Sequence, residues 1–524
     1  MADSKADAAR VQVEFGNFLA DLGRRVARAD GAVDGTAALA LAEQALGGGR
    51  RATALLHGFA VLLAYADSKP GATVLDDEEG ATRAAHDAVV RLEECKLQQR
   101  IDEAEAAAGT VTCPSPGCGA AAHSRGRMTR GFLSQHGRLS LQLRKSVCIK
   151  PECGTTILPG AKACGLTQHR FTPGCANAIT QLSTALAYGQ AVTLLGQLLH
   201  IEVSEHAAQE LTEERGATLL ALDQAAAKEH TPYADSGLER ACGRPADAVA
   251  ADQTPDVAYL ETDGVHPMTR ELLPDQSVEV PGARGGKGRK YKLEGAEVKN
   301  AVLYTAKAAV QEMPSRGCLL HKTYVSYLGH WTLFASLLWL TMLRLRFDQA
   351  KLLVVLSDGA EWIRSLGNWL PMRGRVLLIL DYYHAAHRAW EVARLLYGDG
   401  TDKCREQARK WCGTIELGGV QHVIDELKEL QPLNAGRPTV VEAVGKLVGY
   451  YENNRDRMQY PEYTKRGLRI SSGIVESANF HVTGARLKQQ GMRWTEQAAR
   501  ELALLRADLC SERWAVRSRQ LLAA

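Results

Sequence analysis

The sequence predicts a mixed α/β protein, and three observations lead to this fold class. Residues 257–262 and 352–357 are apolar runs that each lead into an Asp-Gly pair, which is typical of buried strands. From 387 to about 462 the chain shows helical patterns only. Six of the twelve cysteines fall between positions 113 and 175, which indicates a metal-binding module before the core.

Length and composition favour several globular domains. A chain of 524 residues suggests about three domains at roughly 150 residues each, and 45% hydrophobic residues provide a sizeable core. The net charge of +3 neither requires nor excludes nucleic acid, because binding depends on a local basic patch. No apolar run reaches about 18 residues and no signal peptide is visible, which predicts a cytoplasmic protein without a membrane partner.

Residues 1–108 are predicted to form a helical N-terminal domain, since they are rich in Ala, Leu, Glu and Arg. Its last helix is expected at about 78–108. Residues 177–250 are helical again, with one helix at 186–199 and a second that Ser204 caps and that ends at Arg215. This pattern fits a DNA-binding helix-turn-helix or a plain helical hairpin, and the scarcity of cations on the second helix weighs against base reading.

Residues 109–176 are predicted to form a zinc-ribbon-like module. Cys113-Pro-Ser-Pro-Gly-Cys118-Gly and Cys148-Ile-Lys-Pro-Glu-Cys153-Gly each present two thiols on a turn, and 139–147 alternates like a strand. Four thiolates suit a structural Zn²⁺, although four intervening residues depart from the usual two, and buried thiols without metal are the alternative. Substitute ligands, or a second site, are available among Cys164, Cys175, His123, His136 and His169.

Residues 251–384 are predicted to form the first part of the core. Its first strand leads to Asp263 and its fourth to Asp358, and further elements are expected at 298–304, 322–328 and 376–380 as strands and at 331–344 as a helix. Asp381, after the fifth strand, is the alternative to Asp358 as the second metal-binding acid. Acids at the carboxyl ends of such strands lie where open α/β sheets place ligands.

A glycine-rich basic loop follows the first strand of the core. It contains Arg284, Lys287, Arg289 and Lys290. Such a loop is suited to contact a DNA backbone, and a solvated hairpin tip is the alternative interpretation.

Residues 385–470 are predicted to be an all-helical insertion. Near its end, aromatic residues alternate with cations, an arrangement that can stack unpaired bases or simply pack helix ends. The residues are Tyr450, Tyr451, Arg455, Arg457, Tyr460 and Tyr463.

Residues 471–524 are predicted to supply the last helices of the core. Ser471-Ser472-Gly473 marks a helix start, and Val475, Ala478, Val482 and Ala485 form one apolar stripe. Glu476 lies beside this stripe. Its carboxylate is either simply stabilised by the helix dipole in the first turn or acts as a metal ligand. A final amphipathic helix is expected at 495–514.

Two aspartates and one helical glutamate form the candidate catalytic set. Asp263, Asp358 and Glu476 would offer oxygen ligands to Mg²⁺ or Mn²⁺, as two-metal phosphoryl transfer requires.

Five short motifs, in order along the chain, resemble those of one family. They are Ser-Asp358-Gly-Ala-Glu-Trp362-Ile, Leu-Asp381-Tyr-Tyr-His384-Ala, Gly-Ile-Val-Glu476-Ser, Arg-Leu-Lys488 and Gly-Met-Arg-Trp494. Together they resemble bacterial insertion-sequence transposases of the Kra and Lre groups, distant allies of the Mutator type, over roughly residues 110–515. The resemblance implies a DDE transposase with an RNase H-like α/β core and an all-helical insertion.

The resemblance also implies roles for individual residues. It favours Asp358 over Asp381 as the second acid. His384 is expected to steady the DNA backbone or a catalytic water, or to be an ordinary half-buried histidine. Three further cations are expected to hold phosphates: Arg486, Lys488 and Arg493.

The implied function is two-metal strand cleavage and strand transfer of an insertion sequence in a bacterial nucleoid. The expected partners are DNA, as terminal inverted repeats and target, and further copies of the chain in a dimer or larger assembly. Residues 1–108 would then be an accessory module for DNA ends or dimerisation, or a bundle with no direct role. Two alternatives stay open: a retired, transposase-derived DNA-binding protein and a metal-dependent DNA nuclease.

Overall fold

The computed structural model describes residues 54–55, 57–58, 61–62, 65–66, 70–71, 73–166, 170–231, 243–279, 287–313 and 316–523. Most of the predicted N-terminal domain, and His169, lie outside them. The chain divides into two compact units, Met1–Ser183 with Tyr188–Leu211, and Thr184–Ala187 with Thr212–Ala524. Within the described ranges, no helix is both long and apolar enough to cross a membrane.

A long helix, α1 (Val74–Ala107), begins the well-described part of the first unit. Thr73 Oγ1 accepts a hydrogen bond from Asp76 N (3.2 Å), and Asp76 Oδ2 accepts one from Thr73 N (2.8 Å). This reciprocal cap fixes the start of the helix earlier than the predicted position near 78. The elements that follow are β1 (Val111–Thr112), β2 (Ala121–Leu133), β3 (Arg138–Cys148), β4 (Thr156–Ile157), α2 (Pro159–Ala163), α3 (Pro173–Ala185) and α4 (Tyr188–Leu199).

The first four strands form an antiparallel sheet in the order β1-β2-β3-β4. Because side chains alternate along a strand, β3 buries Leu139, Leu141 and Leu143 on one face, where they pack with Ile101 of α1. The strand predicted at 139–147 is therefore confirmed.

The helix after Ser204, α5 (Glu205–His230), is far longer than predicted. Ser204 Oγ accepts a hydrogen bond from Ala207 N (3.2 Å), which confirms the predicted cap. The predicted end at Arg215 is wrong, because the apolar pattern continues and Leu219 and Ala227 are buried in the core of the second unit. DNA binding by this helix stays a prediction.

The second unit contains nine strands among its described residues. They are β5 (Val257–Val265), β6 (Met268–Glu279), β7 (Lys287–Gly295), β8 (Val298–Thr305), β9 (Ala309–Met313), β10 (Arg316–Leu319), β11 (Thr323–Leu328), β12 (Leu352–Ser357) and β13 (Val376–Leu380). Five of them form one mixed sheet in the order β11-β8-β5-β12-β13. β5 is antiparallel to β8 and parallel to β12, which is parallel to β13. All five strands that the sequence predicted are present.

Helices cover both faces of this sheet. They are α6 (Trp331–Arg344), α7 (Glu361–Trp369), α8 (Tyr382–Tyr397), α9 (Asp402–Glu416), α10 (Val420–Leu433), α11 (Pro438–Asn454) and α12 (Tyr460–Lys465). In β12, Val354 and Leu356 pack with α8 to α11, whereas Leu353 and Val355 pack with α6 and α7. Residues 382–465 are described throughout and contain no strand, so the predicted all-helical insertion is confirmed.

A two-stranded antiparallel arm, β6–β7, connects β5 to β8. The predicted basic loop, 282–290, falls between β6 and β7 in the sequence, and its last residues belong to β7. Arg284 is outside the described residues, and only the backbone of Lys287, Arg289 and Lys290 is described, as the start of β7.

The chain ends in helices that differ from the prediction in two ways. α13 (Gly473–Ala478), a π-helical turn (Asn479–Gly484) and α14 (Ala485–Leu487) form one continuous helix, followed by α15 (Glu496–Cys510) and α16 (Trp514–Ala523). The helix predicted at 495–514 is present as α15, but its predicted end is wrong, because the chain breaks at Glu512, whose φ of +57° no α-helix allows. The wide π turn also shifts the apolar stripe, so that Leu487 is buried while Ala485 is only half-buried.

Candidate active site and metal centre

The four predicted cysteines face one another in the first unit. All four Sγ atoms lie within 4.8 Å of one another, and the pairs Cys113–Cys153 and Cys118–Cys148 are each 3.6 Å apart. Sulfurs bound at 2.3 Å to a tetrahedral Zn²⁺ lie about 3.8 Å apart, so this group is close enough to bind a metal such as zinc. No other group of three or more such ligands is as compact in the described part of the chain. Cys164, Cys175, His123 and His136 are not part of the group.

Two matching turns present these thiols. Cys118 N donates to Ser115 O and Cys153 N donates to Lys150 O, both at 3.0 Å. Ser115 Oγ and Thr155 Oγ1 lie 2.8 Å apart and join the two turns. The turns therefore hold the thiols in position without help from a disulfide.

The thiols differ in acidity. Hydrogen bonds from Thr155 lower the pKa of Cys153 to about 6. The Lys150 backbone N–H lowers the pKa of Cys148, but burial and the thiols of Cys118, Cys113 and Cys153 outweigh it and raise this pKa to about 12. Several thiolates this close repel one another unless a cation neutralises them, which favours a bound metal.

In the second unit, Asp263 and Asp358 lie beside each other at the same edge of the sheet. Ser357, the last residue of β12, pairs in parallel register with Thr262 of β5, so the residues that follow are neighbours. Asp358 Oδ1 accepts a hydrogen bond from Ala360 N (3.0 Å), and the Asp358 carbonyl accepts one from Tyr450 Oη (2.8 Å). The structure therefore brings together the two aspartates that the sequence singled out.

Asp263 is partly buried and well anchored. Its Oδ1 accepts a hydrogen bond from Gly264 N (2.7 Å), and its Oδ2 accepts one from Asn479 Nδ2 (2.6 Å). Burial raises the pKa of Asp263, and the negative charge of Asp358 adds to this, while the two hydrogen bonds and the charge of His384 oppose it. A partly buried carboxylate beside a second carboxylate forms a site that favours a cation.

Glu476 and His384 complete this edge of the sheet. His384 Nε2 lies 3.5 Å from Glu476 Oε1. The Glu476 side chain lies in the first turn of its helix and is 61% exposed, so it does not pack in the core and it has room to move. His384 thus lies beside Glu476, and its charge also acts on Asp263.

A buried carboxylate that sequence reasoning missed fixes the Glu476 helix to the sheet. Glu261 lies on β5, and its Oε2 accepts hydrogen bonds from Val475 N (2.9 Å) and Ile474 N (3.1 Å) in the first turn of α13. Tyr304 Oη donates to its Oε1 (2.6 Å). Burial raises the pKa of Glu261 to about 7. Its oxygens satisfy backbone donors that would otherwise be orphaned at the helix start.

Both carboxylate oxygens of Asp381 accept hydrogen bonds from the protein, which gives this residue a structural role. Its Oδ1 accepts a hydrogen bond from His384 N (3.0 Å) and its Oδ2 accepts one from Ser472 N (2.5 Å) and one from the Ser472 hydroxyl. Asp381 therefore caps α8 and ties down the segment before α13. The choice of Asp358 over Asp381 as the second acid stays a prediction.

The π-helical turn directs a second missed residue, Asn479, at the site. Asn479 donates to Asp263, and its Oδ1 accepts a hydrogen bond from Asn300 Nδ2 (2.7 Å) on β8. Asn300 is held in turn by Thr483 and Ser326. Extra turns of this type often occur at functional sites, and this one gives Asp263 a fixed amide donor.

The three cations predicted to hold phosphates lie in different environments. Lys488 and Arg493 are exposed. Arg486 is fully buried, with its guanidinium 4.9 Å from the Trp494 ring centroid, a position that favours packing over direct phosphate contact. Trp494 also exchanges backbone hydrogen bonds with Met268 and Arg270 on β6, so this motif links the Glu476 helix to the arm.

The aromatic and basic residues near the end of the insertion mainly pack. Tyr451, Arg457, Tyr460 and Tyr463 are buried, which supports the helix-packing alternative over base stacking. Tyr450 packs under Arg388, whose guanidinium is 4.2 Å from the ring centroid.

The carboxylates offer the hard oxygen donors that Mg²⁺ and Mn²⁺ prefer. Their ligand atoms are not gathered as closely as the four thiols, and Glu476 is the one with free space around it. A scan against protein-family models and a search of curated proteins both found no match to this chain.

Proposed function

We propose that the chain is a DDE transposase with an RNase H-like core, which cleaves and joins the DNA strands of an insertion sequence. The observation that carries this proposal is the position of three acids around one sheet. Asp263 lies on its first strand, Asp358 follows its fourth, and Glu476 lies on a late helix that Glu261 ties to the first strand. The same order of acids is expected from the resemblance of the sequence motifs to those of DDE transposases.

The residues of the site have separable roles. Asp263 and Asp358 are rigid, because backbone N–H groups and Asn479 hold their oxygens. Glu476 is exposed and adaptable, and His384 lies close enough to orient it or a water molecule. Two rigid aspartates and one mobile glutamate suit a site that must first cleave one DNA strand and then join it to another.

Mg²⁺ or Mn²⁺ held by Asp263, Asp358 and Glu476 would supply the charge that stabilises the attacking and leaving oxygens of a phosphodiester. The chain therefore needs no Ser or Tyr nucleophile. The exposed cations Lys488 and Arg493 follow the Glu476 helix and would hold DNA phosphates there. The partners are the terminal repeats, the target DNA and a second copy of the chain, and Zn²⁺ in the four-cysteine group would be structural.

The first prediction concerns Asp358→Asn. This change keeps the side-chain shape but removes the negative charge, so cleavage of DNA that carries the sequences flanking the gene should fall by at least a thousandfold, an effect of roughly 4 kcal/mol. DNA binding, measured by gel shift, should persist. The matched control is Asp399→Asn, an exposed carboxylate (86%) in the loop after α8, which should cleave normally. Full cleavage by Asp358→Asn would rule out the assignment.

The same assay separates the alternatives. A retired DNA-binding protein would bind these ends without cleaving them in any variant. A nuclease would cleave but would not join pre-cut 3′ ends to a target plasmid. Joining that requires Asp358 is the outcome that the proposal expects.

A further inference from the structure

Three histidines from separate elements converge in the first unit, away from the four cysteines. His86 lies on α1, His136 in the turn between β2 and β3, and His200 directly after α4. The His86 ring centroid is 5.3 Å from that of His200 and 5.8 Å from that of His136, and both contacts are edge-on. Imidazoles bound to one zinc-class ion at 2.0–2.1 Å have centroids roughly 5 Å apart, so these separations are close to those of a shared ion.

His136 is already oriented as metal-binding histidines usually are. Its Nδ1 lies 3.1 Å from Glu93 Oε2, and the same oxygen accepts a hydrogen bond from Ser134 Oγ (2.6 Å). A carboxylate on one ring nitrogen fixes the tautomer and leaves the other nitrogen as the ligand. Glu93 and Ser134 thus form the support that such a ligand needs.

The other two histidines have features that packing alone does not explain. His86 Nδ1 is buried and has no hydrogen-bond partner among the described residues. His200 is exposed and has a φ of +52°, a conformation that is uncommon outside glycine and that is often retained where a ligand is held. The unpartnered Nδ1 atom of His86 and the strained residue His200 therefore lie next to each other.

We propose that His86, His136 and His200 form a second metal site, for a divalent ion of the zinc class. Imidazole suits Zn²⁺, Co²⁺, Ni²⁺ and Cu²⁺, and three histidines leave a further position for water. The ring nitrogens are not as tightly gathered as the four thiols, so binding an ion requires the exposed His200 ring to rotate towards the other two. This site does not depend on the proposed reaction.

The test uses the full-length, zinc-loaded protein without an affinity tag, titrated with Co²⁺. The protein carries one zinc per chain, which occupies the four-thiol site, and excess Mg²⁺ occupies the proposed acidic site. The wild-type protein should therefore bind one further equivalent of Co²⁺, with visible ligand-field bands and no thiolate charge-transfer band. His136→Gln and His200→Asn should lose this equivalent, and asparagine tolerates the φ at position 200. Glu93→Gln should retain it with an affinity about 10- to 100-fold weaker.

The matched control is His206→Asn, because the His206 side chain lies on α5 and is 79% exposed. It should bind the further equivalent normally. Retained zinc and an unchanged melting temperature in each variant show that the fold is intact. The proposal is overturned if the wild-type protein binds no further Co²⁺, or if His136→Gln and His200→Asn bind it as tightly as the wild type.

Discussion

At the scale of single residues, the orientation of Asp263 depends most directly on Asn479. One amide group donates to Asp263 Oδ2 and accepts from Asn300, so its orientation is fixed from both sides. A flipped amide would present an oxygen to the carboxylate and lose both bonds. Asn479 is therefore a positioning residue, whose effect acts through Asp263.

Asn479→Ala should weaken Mn²⁺ binding at the acidic site by about 10- to 100-fold, as losses of supporting hydrogen bonds around metal ligands do. The measurement is Mn²⁺ affinity by electron paramagnetic resonance, together with the Mg²⁺ concentration needed for half-maximal cleavage. Asn368→Ala, at an exposed position on α7, is the control. Equal Mn²⁺ affinity in both variants would remove Asn479 from this role.

Glu261 makes the stability of the second unit depend on pH. Burial raises its pKa from 4.5 to about 7, so the folded state binds the proton more tightly than the unfolded chain. Stability contributed by the protonated form is fully present below about pH 4.5 and declines as pH rises to about 7, by up to roughly 3 kcal/mol. Without divalent ions, Glu261→Gln should therefore flatten this decline.

Tryptophan fluorescence can follow this effect selectively, because all eight tryptophans lie in the second unit. The quantity to compare is the unfolding midpoint at several pH values between 4.5 and 7.5. Parallel curves for the wild-type protein and Glu261→Gln would mean that Glu261 titrates normally.

At the scale of elements, the helix that carries Glu476 is built around its π turn. The apolar stripe continues correctly through Val482, and then the extra residue of the turn rotates the next side chains. Arg486 and Leu487 consequently face inward, and Asn479 faces Asp263. Periodicity predicted the helix but not the turn, because the turn depends on hydrogen bonds to β5 and β8.

The four-cysteine element should depend on its metal. Cys118→Ser removes one of four ligands, so the protein should lose its zinc and the first unit should become sensitive to protease, since a structural zinc contributes on the order of 10 kcal/mol. Cys95→Ser, on α1 in the same unit and outside the cluster, should retain zinc. Zinc content by elemental analysis and limited proteolysis measure both, and full zinc retention in Cys118→Ser would contradict the assignment.

At the scale of the whole molecule, the sequence predicts the strands and helices whose residues form a clear local pattern. β12, β13 and α6 occur at the predicted residues, because continuous apolar runs with clear ends leave little freedom. Glu261 and Asn479 escaped prediction because the hydrogen bonds from Val475 to Glu261 and from Asn479 to Asp263 each join residues more than 200 positions apart in the chain. Arg486 was expected at the surface because its burial against Trp494 depends on the π turn.

The most direct test of the central claim is a crystal of the full chain soaked in Mn²⁺ with DNA ends bound, with anomalous peaks recorded near Asp263, Asp358 and Glu476. The proposed two-metal transposase predicts two peaks about 3.5–4 Å apart that these carboxylates share. The absence of any peak at the three acids, with DNA present, would contradict it.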